Sequence, residues 1–342
     1  MKPTLLGRRP DVPTAALIGA LRPPHHFAHA TFETYSPDPE FPSQAAALGT
    51  VRAVAASLKP RSSGSSRSSG TPGLYLDGGF GVGKTHLLAA LAHAVPGAAF
   101  ATFVEYTSLV GALGFPSARR ELQEFRLVCI DEFELDDPGD TLLMARLMRE
   151  LADAGVALAA TSNTPPGSLG LGRFAAADFQ REIQSLASSF QVVSIDGPDY
   201  RHRETHEFPP PDTEADVRAQ CDRDGAVCED FGALVGDLAH VHPSRYNAYL
   251  DGIDTLGLTG VAPLRDQNQA LRWVSLVDRL YDRDVRLIAA GEPLADVFTP
   301  DMMKGGYRKK YLRALSRMLS LVVGEDEPSA AQGETASATG GA

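Results

Sequence analysis

The stretch GGFGVGKTHL at residues 78–87 constrains the fold more than any other part of the chain. It fits the pattern G-x-x-x-x-G-K-[ST], with Gly78 first, Gly83 and Lys84 at the far end, and Thr85 last. A loop this rich in glycine can turn its backbone N–H groups inward as an anion nest. The pattern gains force only where such a loop leaves a strand and opens a helix, so that the helix N-terminus faces the anion. Both flanks comply. GLYLDG (73–78) is a short apolar run of strand type, and THLLAALAHAV (85–95) is a Leu- and Ala-rich helix stopped by Pro96-Gly97. The loop Gly78, Gly79, Phe80, Gly81, Val82, Gly83, Lys84, Thr85 and His86 is therefore expected to cradle a nucleotide's phosphates. Lys84 would stand at the β- and γ-phosphates, outside the core, and the Thr85 hydroxyl would hold Mg²⁺.

From residue 73 to about 200, apolar strands alternate with helical patterns, which is the signature of a parallel α/β sheet. The expected strands are 73–78, 98–106, 126–133, 156–163 and 190–196, with a Leu- and Met-rich helix at 140–155. A P-loop site needs a second strand that offers a carboxylate. RLVCIDEF (126–133) supplies one, because Leu127 to Ile130 bury the strand and leave Asp131 at its C-terminal end, where open α/β sheets bind ligands. Asp131 is the expected Mg²⁺ partner and Glu132 the residue that polarises the attacking water. The fourth strand ends ATSN (160–163), where Asn163 reads either as a sensor of the γ-phosphate or as a turn former before Thr-Pro-Pro. None of the six lysines lies in the Asn/Thr-Lys-x-Asp pattern of a guanine reader, which favours ATP.

The rest of the chain bounds the setting. A formal net charge of −11 argues against non-specific nucleic-acid binding and for protein partners. The chain has three cysteines, without CxxC spacing, and no signal peptide or membrane span is read at its start or within it, so a reducing cytoplasm is expected. The expected organisation is an N-terminal segment with a helix (1–59), a flexible linker or loop (60–72), the nucleotide-binding core (73–200), a C-terminal region with a βαβ-like unit and a basic helix (201–323), and a disordered tail (324–342). The stretch 200–245 is polar and reads as irregular, whereas 251–264 is strand-like. MRELADAGVALAATSN (148–163) and VDRLYDRDVRLIAAGE (277–292) are alike enough to raise a degenerate duplication, although any βαβ unit has this pattern. In the basic stretch 304–319, Arg317 is considered as a phosphate-sensing residue, with a solvated face as the plainer reading.

GGFGVGKTHL, CIDEFEL and ATSNTPPGSL, followed by VVSIDGPDYR, together resemble the ZapE-like AAA+ ATPases, relatives of the Afg-type mitochondrial ATPases. FETYSPDPEFPSQ (32–44), NQALRWVSLVDRLYD and RALSRML (313–319) extend the likeness over roughly residues 27–320. The resemblance implies a P-loop core of AAA+ type with a smaller C-terminal α/β or helical region, Mg²⁺-dependent ATP hydrolysis and self-assembly into a nucleotide-dependent ring. For bacterial members it implies a protein substrate near the division machinery or membrane. The segment LGLGRFAAADFQREI (169–183) departs from the family pattern, so Arg173, Arg181 or neither is the arginine finger. Two rival readings share this core: a nucleic-acid-associated ATPase of helicase-loader type, and a switch that binds ATP without hydrolysing it.

Overall fold

Four short, mostly apolar runs are buried on both faces of one sheet, and a fifth, half-exposed run joins them at its edge. The computed structural model describes residues 3–58, 73–79, 81–133, 138–165, 169, 190–197 and 208–323. They form two units, Arg9–Thr205 with His240–Tyr249, and Met1–Arg8 with His206–Ala239 and Leu250–Ala342.

In the first unit, strands β1 (Gly73–Gly78), β2 (Ala98–Thr102), β3 (Leu127–Asp131), β4 (Ala157–Ser162) and β5 (Phe190–Ile195) run parallel in the order β2-β3-β4-β1-β5. Among its described residues are the helices α1 (Thr14–Gly19), α2 (Pro42–Ser57), α3 (Lys84–Ala94), α4 (Phe103–Leu113), α5 (Phe115–Leu122) and α6 (Pro138–Asp153). Leu74, Leu76, Phe100, Leu127, Cys129 and Ala159 point to the face covered by α2 and α3. Tyr75, Ala101, Val128, Ile130 and Ala160 point to the face covered by α4, α5 and α6. Burial on both faces is why these strands read as continuous apolar runs, and each buried Leu contributes about 2 kcal/mol.

The second expected strand, 98–106, is shorter than its apolar run. It ends at Thr102 and the chain turns at once into α4. The cause is local: Thr102 and Glu105 form a capping box, in which the Glu105 carboxylate accepts from the Thr102 N–H at 2.7 Å. An N-cap of this kind outweighs the strand propensity of Phe103 and Val104.

The second unit holds another parallel sheet, β6 (Ala226–Asp230), β7 (Thr255–Val261) and β8 (Arg286–Gly291), in the order β6-β7-β8. Its helices are α7 (Glu214–Gln220), α8 (Phe231–Asp237), α10 (Gln267–Asp282) and α11 (Arg308–Val323); the short α9 (Tyr246–Tyr249) groups with the first unit. Strand β6 lies inside the stretch read as irregular. It is short and ends in two acids, Glu229 and Asp230, so neither its length nor its polarity marks it as a strand. Glu229 is buried and accepts from the Leu5 N–H at 2.5 Å and the Thr4 hydroxyl at 2.8 Å, which ties the first residues of the chain to this unit. Trp273 is buried edge-on against Phe231, with ring centroids 5.1 Å apart.

Helices α10 and α11 are joined by a buried carboxylate. Asp278 accepts from Arg313 at 2.8 Å and from Arg317, and the Arg317 guanidinium lies 5.2 Å from the Tyr281 ring. Burial alone would raise the Asp278 pKa, but Arg313, Arg317 and Arg279 outweigh it and hold the carboxyl at about 2. Arg317 is therefore engaged in the second unit's own core. Among the described residues, no helix is long and apolar enough to cross a membrane.

Candidate nucleotide site

The site grows from the C-terminal ends of β1, β3 and β4. At the end of β1 the chain must turn sharply, and Gly78 is needed there: its φ is 151°, and a Cβ would lie 2.2 Å from the Ile195 carbonyl oxygen. Gly81 and Gly83 also take positive φ, and Gly83 is the N-cap of α3 in left-handed conformation. Phe80 lies outside the described residues. Val82 is buried, and its carbonyl accepts from the Tyr35 hydroxyl at 3.0 Å. The same tyrosine ring would meet a Cβ on Gly83 at 2.5 Å, so Tyr35 seats the loop from outside.

Lys84 opens α3 and is buried, contrary to the expectation that it stands clear of the core. Its ammonium donates to the carbonyls of Gly78 (2.9 Å) and Gly79 (2.5 Å) and to Asn163 Oδ1 (2.9 Å). The lysine is thus folded back over the first turn of its own loop, with three acceptors for its three protons. Thr85 donates toward both oxygens of Asp131, at 3.1 and 3.2 Å. His86 turns elsewhere: its Nε2 contacts the Thr31 carbonyl at 3.0 Å and the Thr34 hydroxyl at 3.1 Å, and its ring lies 5.6 Å from that of Tyr35.

Asp131 is buried at the end of β3. Burial, and then the neighbouring Glu132 carboxylate, push its pKa up to about 6, against the hydrogen bonds from Thr161 and Thr85 that lower it. A buried carboxylate beside a second carboxylate, a hydroxyl and an anion-binding loop is the donor set of a hard divalent cation with phosphate ligands. A cation there would also relieve the repulsion between the two acids. Thr85 and Asp131 fit Mg²⁺ on these grounds.

Glu132 is one of two described non-glycine residues with positive φ, at 52°. Strain of this kind collects at functional sites. The conformation turns the chain off the strand while Phe133 N–H donates to the Thr161 carbonyl at 2.7 Å.

Thr161, passed over in the sequence, touches both acids. It is buried on β4, donates to Asp131 Oδ1 at 2.5 Å and accepts from the Glu132 N–H at 3.1 Å. Its signal was present as the Thr of ATSN, two residues before Asn163 on the same strand, but only the neighbouring position of β3 gives it meaning. Gln44, the last residue of FETYSPDPEFPSQ, was likewise not singled out in the sequence. It accepts from the Asp38 N–H at 2.9 Å and donates to the Asp196 carbonyl at 3.0 Å, bracing the segment that carries Tyr35. The structure brings together Gly78, Gly79, Lys84, Thr85, Asp131, Glu132 and Asn163; Arg173 and Arg181 lie outside the described residues.

A glycine loop between a central parallel strand and a helix, with a carboxylate on the strand two places away, defines a P-loop nucleoside triphosphatase. The model of the AFG1-like ATPase family matches residues 11–224 and 211–326. The chain belongs to that family and is an ATPase. It is 28% identical to the cell division protein ZapE of Escherichia coli K12 over 294 residues, covering 72% of this chain and 76% of that one. It is 27% identical to the lactation elevated protein 1 homolog B of Danio rerio over 230 residues, 56% of this chain and 45% of that one. Among solved structures, domain III of the Thermotoga maritima replication initiation protein DnaA aligns at TM-score 0.40 and 20% identity over 50% of this chain and 69% of that one, a likeness that carries no inference.

Proposed function

We propose that this chain hydrolyses ATP with Mg²⁺ at the β1–β3–β4 site and uses the cycle to remodel or regulate a protein partner. The observation that carries the reading is the convergence of Lys84, Thr85, Asp131, Glu132 and Asn163, drawn from three strand ends, around one glycine loop. The loop amides and the Lys84 ammonium bind phosphate, the lysine exchanging its carbonyl partners for phosphate oxygens. Thr85 and Asp131 hold Mg²⁺, which when bound offsets the phosphate charge. Glu132 orients the attacking water and takes its proton, held at the strand end by its own N–H on Thr161. Asn163, already on Lys84, places an amide where the γ-phosphate would lie. An arginine finger in trans would require self-assembly, and Arg173 and Arg181 remain its candidates on sequence grounds.

A role in cell division rests on the name of the Escherichia coli relative and on the acidic charge of −11, which favours a protein partner over nucleic acid. The test is steady-state turnover with nucleotide binding in parallel. Glu132→Gln should retain ATP and lose about a hundredfold in kcat, as when a general base is removed. Lys84→Ala should lose both. Undiminished hydrolysis by Glu132→Gln would mean that another carboxylate activates water. Capture on the ATP-held Glu132→Gln protein, compared with Lys84→Ala, should enrich a division or membrane-associated protein; enrichment of DNA would favour the loader reading.

A further inference from the structure

Three strands and three helices of the second unit repeat, in the same order, elements of the first. Strands β2 and β6, then β3 and β7, begin at a constant offset of 128 residues (98 to 226, 127 to 255). After one inserted residue the offset is 129: α6 and α10 span 138–153 and 267–282, and β4 and β8 span 157–162 and 286–291. Helix α4 and α8 both begin with a buried Phe, Phe103 and Phe231, behind a side-chain N-cap, Thr102 and Asp230.

Irregular backbone repeats as well, and it is the stronger witness because a generic βαβ unit does not dictate it. Arg126 N–H bonds the Gly97 carbonyl and Asp254 N–H the Gly225 carbonyl, both at 2.8 Å, with φ of 79° and 81° at the two glycines. Val156 N–H bonds Leu151 O and Val285 N–H bonds Leu280 O, both at 3.0 Å, each after a left-handed residue, Gly155 and Asp284. Glu132, at φ 52°, is matched by Gly260 at 64°. Even the place of β1 is marked. β1 pairs with Thr161 of β4 through Leu76, and Asp212 pairs in parallel with Ala290, the matching residue of β8.

What is missing is the loop. In the first unit Gly79–Gly83 separate β1 from α3; in the second, Thr213 follows Asp212 directly and caps α7. Asp131, Glu132, Thr161 and Asn163 become Thr259, Gly260, Ala290 and Glu292. Where Cys129 stands under α3, Gly257 lets α7 sit close: a Cβ there would meet Cys221 Sγ at 2.4 Å.

We propose that the second unit is a reduced copy of the nucleotide-binding core that has lost its phosphate site, and that the residues differing between the copies at the strand ends are those catalysis requires. Thr161 is then a positioning residue. Ala290 is buried at its place in β8, so the fold accepts alanine there, and the Thr161 hydroxyl serves Asp131 and Glu132 instead. This second part rests on the function proposed above.

Two measurements on the full chain test it. Equilibrium dialysis with a non-hydrolysable ATP analogue and Mg²⁺ should give one nucleotide per chain, and none for Lys84→Ala. A second bound nucleotide, or binding that survives Lys84→Ala, would overturn the loss of the site in the second unit. No binding by the wild type would overturn the proposed function and the Thr161 assignment with it. Thr161→Ala should keep the wild-type melting temperature and ATP affinity while kcat falls about tenfold or more, the loss expected when a preorganised hydrogen bond is removed. Thr161→Ser should restore kcat to within about threefold, because it returns the hydroxyl. Wild-type kcat in Thr161→Ala, or a protein that no longer folds, would overturn the assignment.

Discussion

At the end of β3 the chain carries Asp131 and Glu132, and at the same place in β7 it carries Thr259 and Gly260. The backbone turn is shared, since both second residues take positive φ. Glycine adopts that conformation freely, whereas for an ordinary L-residue it costs about 1–2 kcal/mol. The first unit tolerates the strain and places a carboxylate there. Buried charge follows the same division. In the first unit it is grouped around the loop, with Asp131 at a raised pKa; in the second it is closed upon itself, with Asp278 neutralised by arginines. One unit groups its buried charge at the loop, and the other uses it to tie its own elements together, Asp278 joining two helices and Glu229 holding Thr4 and Leu5.

The largest expected effect lies in the second unit. Asp278→Ala leaves Arg313 and Arg317 without their shared carboxylate, and such a loss costs about 3–5 kcal/mol of stability. Chemical denaturation should report it, with the KM for ATP unchanged in the folded protein; a shifted KM would break the separation of roles. Next is Glu132→Gly, which installs the residue of the other copy. Turnover should fall at least about a hundredfold with loss of the base, while stability stays level or rises by up to about 1 kcal/mol as the strain is released. A destabilised Glu132→Gly would show that the two turns are not equivalent.

The pH dependence comes third. The folded pKa of Asp278, at about 2, lies below the ordinary carboxylate value, so its contribution is complete above about pH 4 and is lost as pH falls toward 2. The loss should amount to about 2–3 kcal/mol, and Asp278→Asn should lack that part of the acid transition. The smallest effect is expected at Thr259, the counterpart of Asp131: Thr259→Val should leave ATP turnover within about twofold and cost about 1 kcal/mol of stability, because it removes the buried hydrogen bond from the Thr259 hydroxyl to the Glu229 carbonyl. A large fall in turnover would mean that the second unit takes part in the chemistry.

The duplication itself shows where sequence reading stops. VALAATSN and VRLIAAGE are visibly alike, but strand β6 and the bridge at Asp212 lie in a stretch whose polarity hides them. Two acids at a strand end and three prolines before a single bridging residue leave no period to detect. The strand after Ala98 was legible in kind but not in length, because a capping box, a matter of two side chains, decides where it ends.

By itself the sequence determined whatever is encoded within a few residues. The glycine loop between strand and helix, the acids at the end of a buried strand, and the amide at the end of the next are all local patterns, and the Lys84–Thr85 and Asp131–Glu132 pairs could be named from them. Only the tertiary structure decided which of these meet. Because β4 lies between β1 and β3, Asn163 reaches Lys84 across 79 residues and Thr161 reaches Asp131 across 30. Strand order is settled by which buried faces pack together over long separations, and the local periods of 2 and 3.6 that a sequence displays carry no record of it.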